Sequence, residues 1–199
     1  MSPATPRMRP AQAGWIEVIA GGMFSGKSEE LIRRLRRAKI ARQKVQAFKP
    51  KVDDRFSKSE IVTHDQNRID SIPVADVPQM IAQLDEDTQV IGIDEAQFLG
   101  EGLAELCVEL ANRGKRVIVA GLDMDFRGRP FEPIPQLLAM AEEITKTHAV
   151  CLICGAPAAY SQRLVEGEER VLVGAGSIYE PRCRDHFEAP ETSSDVNED

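Results

Sequence analysis

The chain has 199 residues, 42% of them hydrophobic and 29% charged, which allows one sizeable packed domain with a small appendage and excludes a largely disordered chain. The formal net charge of −7 argues against a general nucleic-acid binder, so a phosphate ligand must be held by a few local cations. No run approaches membrane-spanning length, and residues 1–14, with three prolines and no apolar signal-peptide core, read as a disordered leader.

Trp15 to Ala20 is a short apolar and β-branched run that reads as a strand. It leads into Gly21-Gly22-Met23-Phe24-Ser25-Gly26-Lys27-Ser28, which fits the phosphate-loop pattern G-x-x-x-x-G-K-[ST]. From Ser28 to about Arg42 a helix is predicted, with Leu31, Leu35 and Ala38 on its apolar face. Strand, glycine loop and helix is the context that the motif needs. Glycines let successive N–H groups converge on a phosphate, and the helix N-terminus adds partial positive charge there. Lys27 is then placed to reach the β- and γ-phosphates, and the Ser28 hydroxyl to ligate Mg²⁺. The arginines of this helix read as a solvated face rather than an RNA surface.

Lys44 to Lys49 reads as a second strand, stopped by Pro50. The polar stretch from Lys51 to Glu60 has no clear period, and a loop of that length is more often functional or mobile than structural. It ends at Thr63-His64-Asp65, where His64 reads as a loop residue orienting its neighbours, with catalysis as the alternative. Ile69 to Val74 is a predicted short strand and Val77 to Leu84 a helix. Gln89 to Asp94 is an apolar strand ending in a carboxylate, followed by Glu95, Ala96, Gln97 and Phe98. Gly102 to Arg113 is a helix with Gly114 as its C-terminal cap, and Arg116 to Leu122 is another buried strand. Asp123 to Pro130 forms a loop at that strand's carboxyl end, and Pro135 to Glu142 is the last helix. Apolar strands alternating with helices imply an α/β fold: a parallel sheet covered on both faces, over residues 15–145.

The carboxylates ending the 89–94 strand complete a nucleotide site. Asp94 is placed to hold Mg²⁺, directly or through water. Glu95 cannot point the same way and faces the γ-phosphate, where it can take a proton from an attacking oxygen.

Beyond residue 145 the pattern changes. Cys151-x-x-Cys154 and Cys183-x-x-His186 are two two-ligand knuckles that together suit a closed, structural Zn²⁺. Disulfides are the weaker reading for a nucleotide enzyme without a signal peptide. Between the knuckles lie two predicted strands, Tyr160 to Val165 and Glu169 to Val173, then a glycine-rich loop from Gly174 to Tyr179. Residues 146–190 thus read as a small zinc-binding ribbon or lasso domain, and 191–199 as a disordered acidic tail. Cys107, on a helix's apolar face, reads as core.

These motifs, in this order over residues 15–187, resemble the type II thymidine kinases, the zinc-containing P-loop family. The resemblance rests on the phosphate loop, Thr63-His64-Asp65, Asp94-Glu95-Ala96-Gln97-Phe98, Phe126 within Leu122 to Phe126, and the Cys/Cys/Cys/His ligands bracketing Tyr179. It implies transfer of phosphate from Mg·ATP to the 5′-hydroxyl of thymidine, with Glu95 as base and Asp94 to Gln97 beside the nucleotide. It implies that Asp53 and Arg55 lie near the phosphates and that Phe126 packs on the thymine ring. Met23 and Leu122 would line the pocket for its 5-methyl group. The loop carrying Arg170, Val171, Leu172, Val173, Gly174 and Tyr179 would close over the nucleoside. It further implies a cytoplasmic homotetramer inhibited by dTTP, with no nucleic-acid or membrane partner. The competing reading from the residues is a P-loop ATPase with a zinc module for nucleic acid; a GTP switch is disfavoured because Asn-Lys-x-Asp is absent.

Overall fold

The computed structural model describes residues 13–51, 60–62, 68–165, 167 and 178–190. In chain order the elements are β1 (Trp15–Ala20), α1 (Lys27–Ile40), β2 (Val45–Pro50), β3 (Glu60–Val62), β4 (Arg68–Asp70), β5 (Ile72–Val74) and α2 (Val77–Ala82). Then come β6 (Val90–Ile93), a 3-10 turn (Ala96–Phe98), α3 (Leu103–Asn112), β7 (Arg116–Gly121), α4 (Ile134–Met140) and β8 (Glu143–Lys146). Among the described residues four short strands follow: β9 (Ala149–Val150), β10 (Pro157–Ala158), β11 (Tyr160–Arg163) and β12 (Tyr179–Arg182).

Six strands form one sheet in the order β5-β2-β6-β7-β1-β8, and every pairing in it is parallel. The fold is therefore the α/β sheet that the apolar runs predict. β6 and β7 can be buried along nearly their whole length because helices cover both sides. One side packs Ile16, Val18 and Ile93 against Leu103, Leu110 and Ile134 of α3 and α4. The other packs Ile19, Val90 and Ile118 against Leu31, Ile32 and Leu35 of α1. Gly92 in β6 permits that second contact, since a Cβ there would sit 2.6 Å from Leu35 Cδ1. The carboxyl ends of β1, β6 and β7 lie side by side, and there the loops carrying the predicted site emerge.

The sequence expectations are adjusted at several places. Pro50 is inside β2. The single strand predicted over Ile69 to Val74 is two: β4, paired antiparallel with β3, and β5, which joins the main sheet. Glu143–Lys146, just past the helix predicted to end at Glu142 and given no element in the sequence reading, is the edge strand β8 beside β1. Tyr179 opens β12, which pairs antiparallel with β11. Gly14, expected in the leader, donates its N–H to the Ala111 carbonyl at 3.1 Å. The leader before it, the tail over 191–199 and the strand predicted at Glu169 to Val173 lie outside the described residues.

The arginine face of α1 is solvated at Arg33, Arg36 and Arg37 but not at Arg34. Arg34 is buried and bonds Glu17 of β1 at 2.6 Å, Glu30 at 2.7 Å and Thr145 of β8 at 2.8 Å. Arg116 of β7 bonds Glu17 from the other side at 2.6 Å, and the Trp15 indole donates to it at the same distance. Burial pushes the Glu17 carboxyl up, but Arg116, Trp15 and Arg34 together hold it below its ordinary value. A buried acid in a central strand is thus matched by two guanidiniums that tie α1, β7 and β8 to β1.

Candidate active site

The phosphate loop owes its shape to two left-handed residues, Phe24 (φ +63°) and Gly26 (φ +80°). The Gly22 carbonyl accepts bonds from Ser25 Oγ and Lys27 Nζ, both at 2.8 Å. Lys27 is buried at the first turn of α1. Burial lowers its ammonium pKa, and the carboxylates of Glu95, Asp94, Asp123 and Glu29 oppose that shift. The one cation of the loop therefore faces several acids, an arrangement suited to a charged ligand bound together with a metal ion.

Asp94 follows β6, and its N–H donates to the Phe48 carbonyl of β2 at 2.9 Å. Ser28 Oγ lies 3.1 and 3.0 Å from its two carboxylate oxygens. The two residues expected to hold Mg²⁺ are thus in direct contact. Burial, then the neighbouring Glu95 charge, pushes the Asp94 carboxyl up to about 7, against the pull of Ser28 and Lys27. A divalent cation at that place would favour the ionised form. Glu95 has φ +49°, an uncommon conformation for a side chain with a Cβ, and it turns out of line with the strand. Its Oε2 accepts from Gln97 Nε2 at 2.6 Å. The two adjacent carboxylates therefore have different partners. Ala96 and Gln97 are both buried in the 3-10 turn.

After β7, Leu122 is half-buried and Asp123 buried, the latter with Lys146 Nζ 2.8 Å from its Oδ2. Asp125 Oδ1 accepts the N–H groups of Arg127 and Arg129 and so bends the loop around Phe126. Phe126 is buried, with the Arg163 guanidinium 3.4 Å from its ring centroid and that of Arg127 at 4.7 Å. Arg163 Nη2 also donates to the Tyr179 hydroxyl at 2.8 Å. The structure thus brings Phe126 and Tyr179 to the same arginine. Arg163 and Asp123 did not emerge from the sequence reading. The available signal for Arg163 was its place on the inward side of β11, where alternate residues are buried. Asp53, Arg55, His64, Arg170, Val171, Leu172, Val173 and Gly174 lie outside the described residues.

Cys151, Cys154, Cys183 and His186 present ligand atoms within 4.8 Å of one another. Cys154 Sγ and Cys183 Sγ are 3.7 Å apart, and His186 Nδ1 lies 3.1 Å from Cys183 Sγ and 3.8 Å from Cys151 Sγ. A tetrahedral Zn²⁺ with ordinary bond lengths needs ligand separations of about 3.6–3.8 Å. The 3.7 and 3.8 Å separations meet that and the 3.1 Å one is shorter, so the donor set fits the ion in chemistry and, with a small adjustment at His186, in size. Burial pushes the Cys151 thiol up, but the N–H groups of Cys183, Cys154 and Ile153 bring it down to about 6, toward the thiolate that a metal requires. Cys107 lies apart, buried in the core, and its thiol is pushed up to about 12 by burial.

The cysteine segment rests on the phosphate loop. Met23 N–H donates to Ser161 Oγ at 2.9 Å, and Ser25 Oγ pairs with Thr147 Oγ1 at 2.9 Å. A Cβ on Gly22 would stand 2.9 Å from the Ala159 carbonyl, so glycine serves there for close approach. Phe24 packs against the small apolar cluster that includes Cys151 and Cys183.

A glycine loop between a parallel strand and a helix, with a serine–aspartate pair beside its lysine, places the chain among the phosphate-loop proteins that handle nucleotides. The chain belongs to the thymidine kinase family, whose description, thymidine kinase, matches residues 14–187. It is 58% identical over 181 residues to a thymidine kinase of a Rhodothermus species, covering 91% of this chain and 84% of that relative. It is 53% identical over 174 residues to a thymidine kinase of Bdellovibrio bacteriovorus, covering 87% of this chain and 85% of the relative. No helix among the described residues is long and apolar enough to cross a membrane.

Proposed function

We propose that the chain phosphorylates the 5′-hydroxyl of thymidine with the γ-phosphoryl group of ATP, in agreement with its family. The observation that carries the mechanism is the divergence of two adjacent acids, Asp94 toward Ser28 and Glu95 toward Gln97. Residues 21–28 cradle the phosphates, and Lys27 neutralises charge on the β- and γ-groups. Ser28 and Asp94 would hold Mg²⁺, which neutralises the developing charge on the transferred group. Glu95 accepts the proton as the 5′-oxygen attacks phosphorus and the bond to the β-phosphate oxygen breaks. Phe126 offers its ring to thymine, with Met23 and Leu122 near the 5-methyl group and Tyr179 in β12, at the end of the loop that would close. Asp53, Arg55 and the 170–174 segment complete this reading near the phosphates and the base. Residues 15–145 then supply the nucleotide half of the enzyme and 146–190 the zinc-bound half.

A thymine edge presents one donor between two acceptors, so a site built to match it leaves buried groups unpaired when cytosine enters. The resemblance also supports a cytoplasmic homotetramer with dTTP as inhibitor, which sizing and inhibitor titration test directly. The deciding experiment is ADP release with and without each of the four deoxynucleosides. Thymidine should start turnover and deoxycytidine should not. Equal ATP hydrolysis with and without any nucleoside would overturn the kinase chemistry and favour the ATPase reading.

Glu95→Gln keeps size and removes the proton acceptor. It should bind Mg·ATP and thymidine near normally and transfer phosphate at least about a hundred-fold more slowly, within the 10²–10⁴ range of general bases. Near-normal transfer by that variant would place the base elsewhere.

A further inference from the structure

We infer that Gln97 is a positioning residue for Glu95: its side-chain amide fixes the carboxylate that takes the proton, by tying it to the end of β7. This rests on Glu95 being the base. Gln97 is 4% exposed and sits two residues after Glu95 in the 3-10 turn. Its Nε2 donates to Glu95 Oε2 at 2.6 Å, and its Oε1 accepts the Leu122 N–H at 3.0 Å. The two contacts leave only one orientation of the amide. A backbone N–H can only donate and a carboxylate can only accept, so oxygen must face Leu122 and nitrogen must face Glu95.

The surroundings are built to keep this amide in place. Gly121, the last residue of β7, has no Cβ; one added there would lie 3.0 Å from Gln97 Oε1 and 2.5 Å from Ile134 Cδ1. The turn is closed by Phe98 N–H to the Glu95 carbonyl at 3.0 Å, and the Phe98 ring meets Phe131 edge-on at 5.9 Å. Phe131 N–H in turn bonds the Asp123 carbonyl at 3.0 Å. Glu95 itself is held in the left-handed region, which disfavours a residue with a Cβ unless its surroundings impose it. Gln97 therefore links the carboxylate at the end of β6 to the strand beside it. The bond occupies Oε2 and leaves Oε1 to meet the 5′-hydroxyl. Its amide oxygen and one of its two N–H groups are engaged, and it is through Glu95 that Gln97 bears on the proton transfer, wherever the nucleotide lies beside it.

Gln97→Glu separates the two contacts. It is nearly isosteric and keeps an acceptor for the Leu122 N–H, but it replaces the donor to Glu95 with a second carboxylate. The expected result is a kcat about ten- to a hundred-fold lower, because a misplaced catalytic group can cost that much, with KM for ATP and thymidine within about two-fold of wild type. Gln97→Met, which carries no donor, should show the same split. The decisive measurement is the cycle with Glu95→Ala. If Gln97 acts through Glu95, adding Gln97→Glu to Glu95→Ala lowers the residual rate by less than about two-fold. The inference fails if Gln97→Glu keeps wild-type kcat while Glu95→Ala loses it, or if the second substitution costs as much in the Glu95→Ala background as alone. A Glu95→Ala enzyme with normal kcat would instead sink the general-base reading on which the inference rests.

Discussion

Asp94 and Glu95 are neighbours in sequence with different proposed tasks, and the backbone separates their side-chain contacts. Asp94 is the first residue beyond β6, held to β2 through its N–H, and its side chain stays with Ser28. Glu95 takes a left-handed turn, which swings its side chain to Gln97. The same economy governs Phe126. The two guanidiniums over its ring are attracted by the π-electrons, and Arg163 also holds Tyr179. A base that packs on Phe126, as proposed, would meet a ring already oriented by these guanidiniums and would use ring surface that Arg163 does not cover. Phe126→Ala should weaken thymidine binding by several-fold or more, since base–aromatic stacking is worth about 1–3 kcal/mol. Affinity for an ATP analogue should stay within about two-fold, because the change leaves the phosphate loop and the Ser28–Asp94 contact intact. Isothermal titration of both ligands checks this, and unchanged thymidine affinity would remove Phe126 from the site.

Among the elements, β1 carries most of the architecture: it launches the phosphate loop, pairs with β7 and β8, and presents Glu17 to Arg34 of α1. Removing Glu17's charge takes from Arg116 the acid it pairs with and leaves the buried Arg34 with Glu30 and Glu143 alone. Glu17→Gln should cost about 3–5 kcal/mol of unfolding free energy at neutral pH, whereas Arg33→Ala on the exposed face of the same helix should cost less than about 0.5 kcal/mol. The acid side follows from the same groups. The hydrogen bond from Arg33, against a rise from burial and with help from Arg34, holds Glu30 at about 2 instead of the ordinary 4.5, and Glu17 is also held low. Carboxylates with lowered folded pKa values stabilise fully above the unfolded value and lose that contribution as pH falls through the folded one. Urea unfolding should therefore show stability declining from about pH 4.5 toward pH 2, with a shallower decline in Glu17→Gln. What the sequence revealed at this scale follows from which forces are local. Val90–Ile93 and Arg116–Gly121 are runs of buried residues bounded by turn signals, so their strands are readable. β8, Glu-Ile-Thr-Lys, has no such pattern; it is a strand because the free edge of β1 accepts it. The phosphate loop, the Asp94–Glu95 pair and the cysteine knuckles were legible because their spacing carries the chemistry. Gln97 to Leu122 and Met23 to Ser161 join residues 25 and 138 positions apart, and no local pattern encodes such contacts.

Across the whole molecule, the cysteine segment and the phosphate loop form one contact surface. Reasoning from sequence alone predicts that loss of zinc harms nucleoside binding more than ATP binding, because the loop near Tyr179 is tethered by the metal ligands. The structure adds a second route. Met23 N–H is bonded to Ser161, Ser25 to Thr147, and Phe24 packs on the cluster that contains two of the ligands, Cys151 and Cys183. Those three residues lie inside the loop that would cradle phosphate. Metal-binding energy is folding energy for so small a ligand segment, whose apolar cluster numbers only a few residues. Cys151→Ser should therefore lose the metal and weaken an ATP analogue as well as thymidine, each by several-fold. Amide exchange at Met23 should accelerate, because its N–H partner is then no longer held. Ser161→Ala serves as the control: it removes the Met23 contact while keeping all four ligands, so zinc content should stay at one per chain while Met23 exchange still quickens. Metal analysis, hydrogen exchange and ligand titration on the same preparations settle the matter. A Cys151→Ser protein that has lost its metal, remains folded and still binds the ATP analogue with wild-type affinity would show that the phosphate loop holds its shape without the cysteine segment.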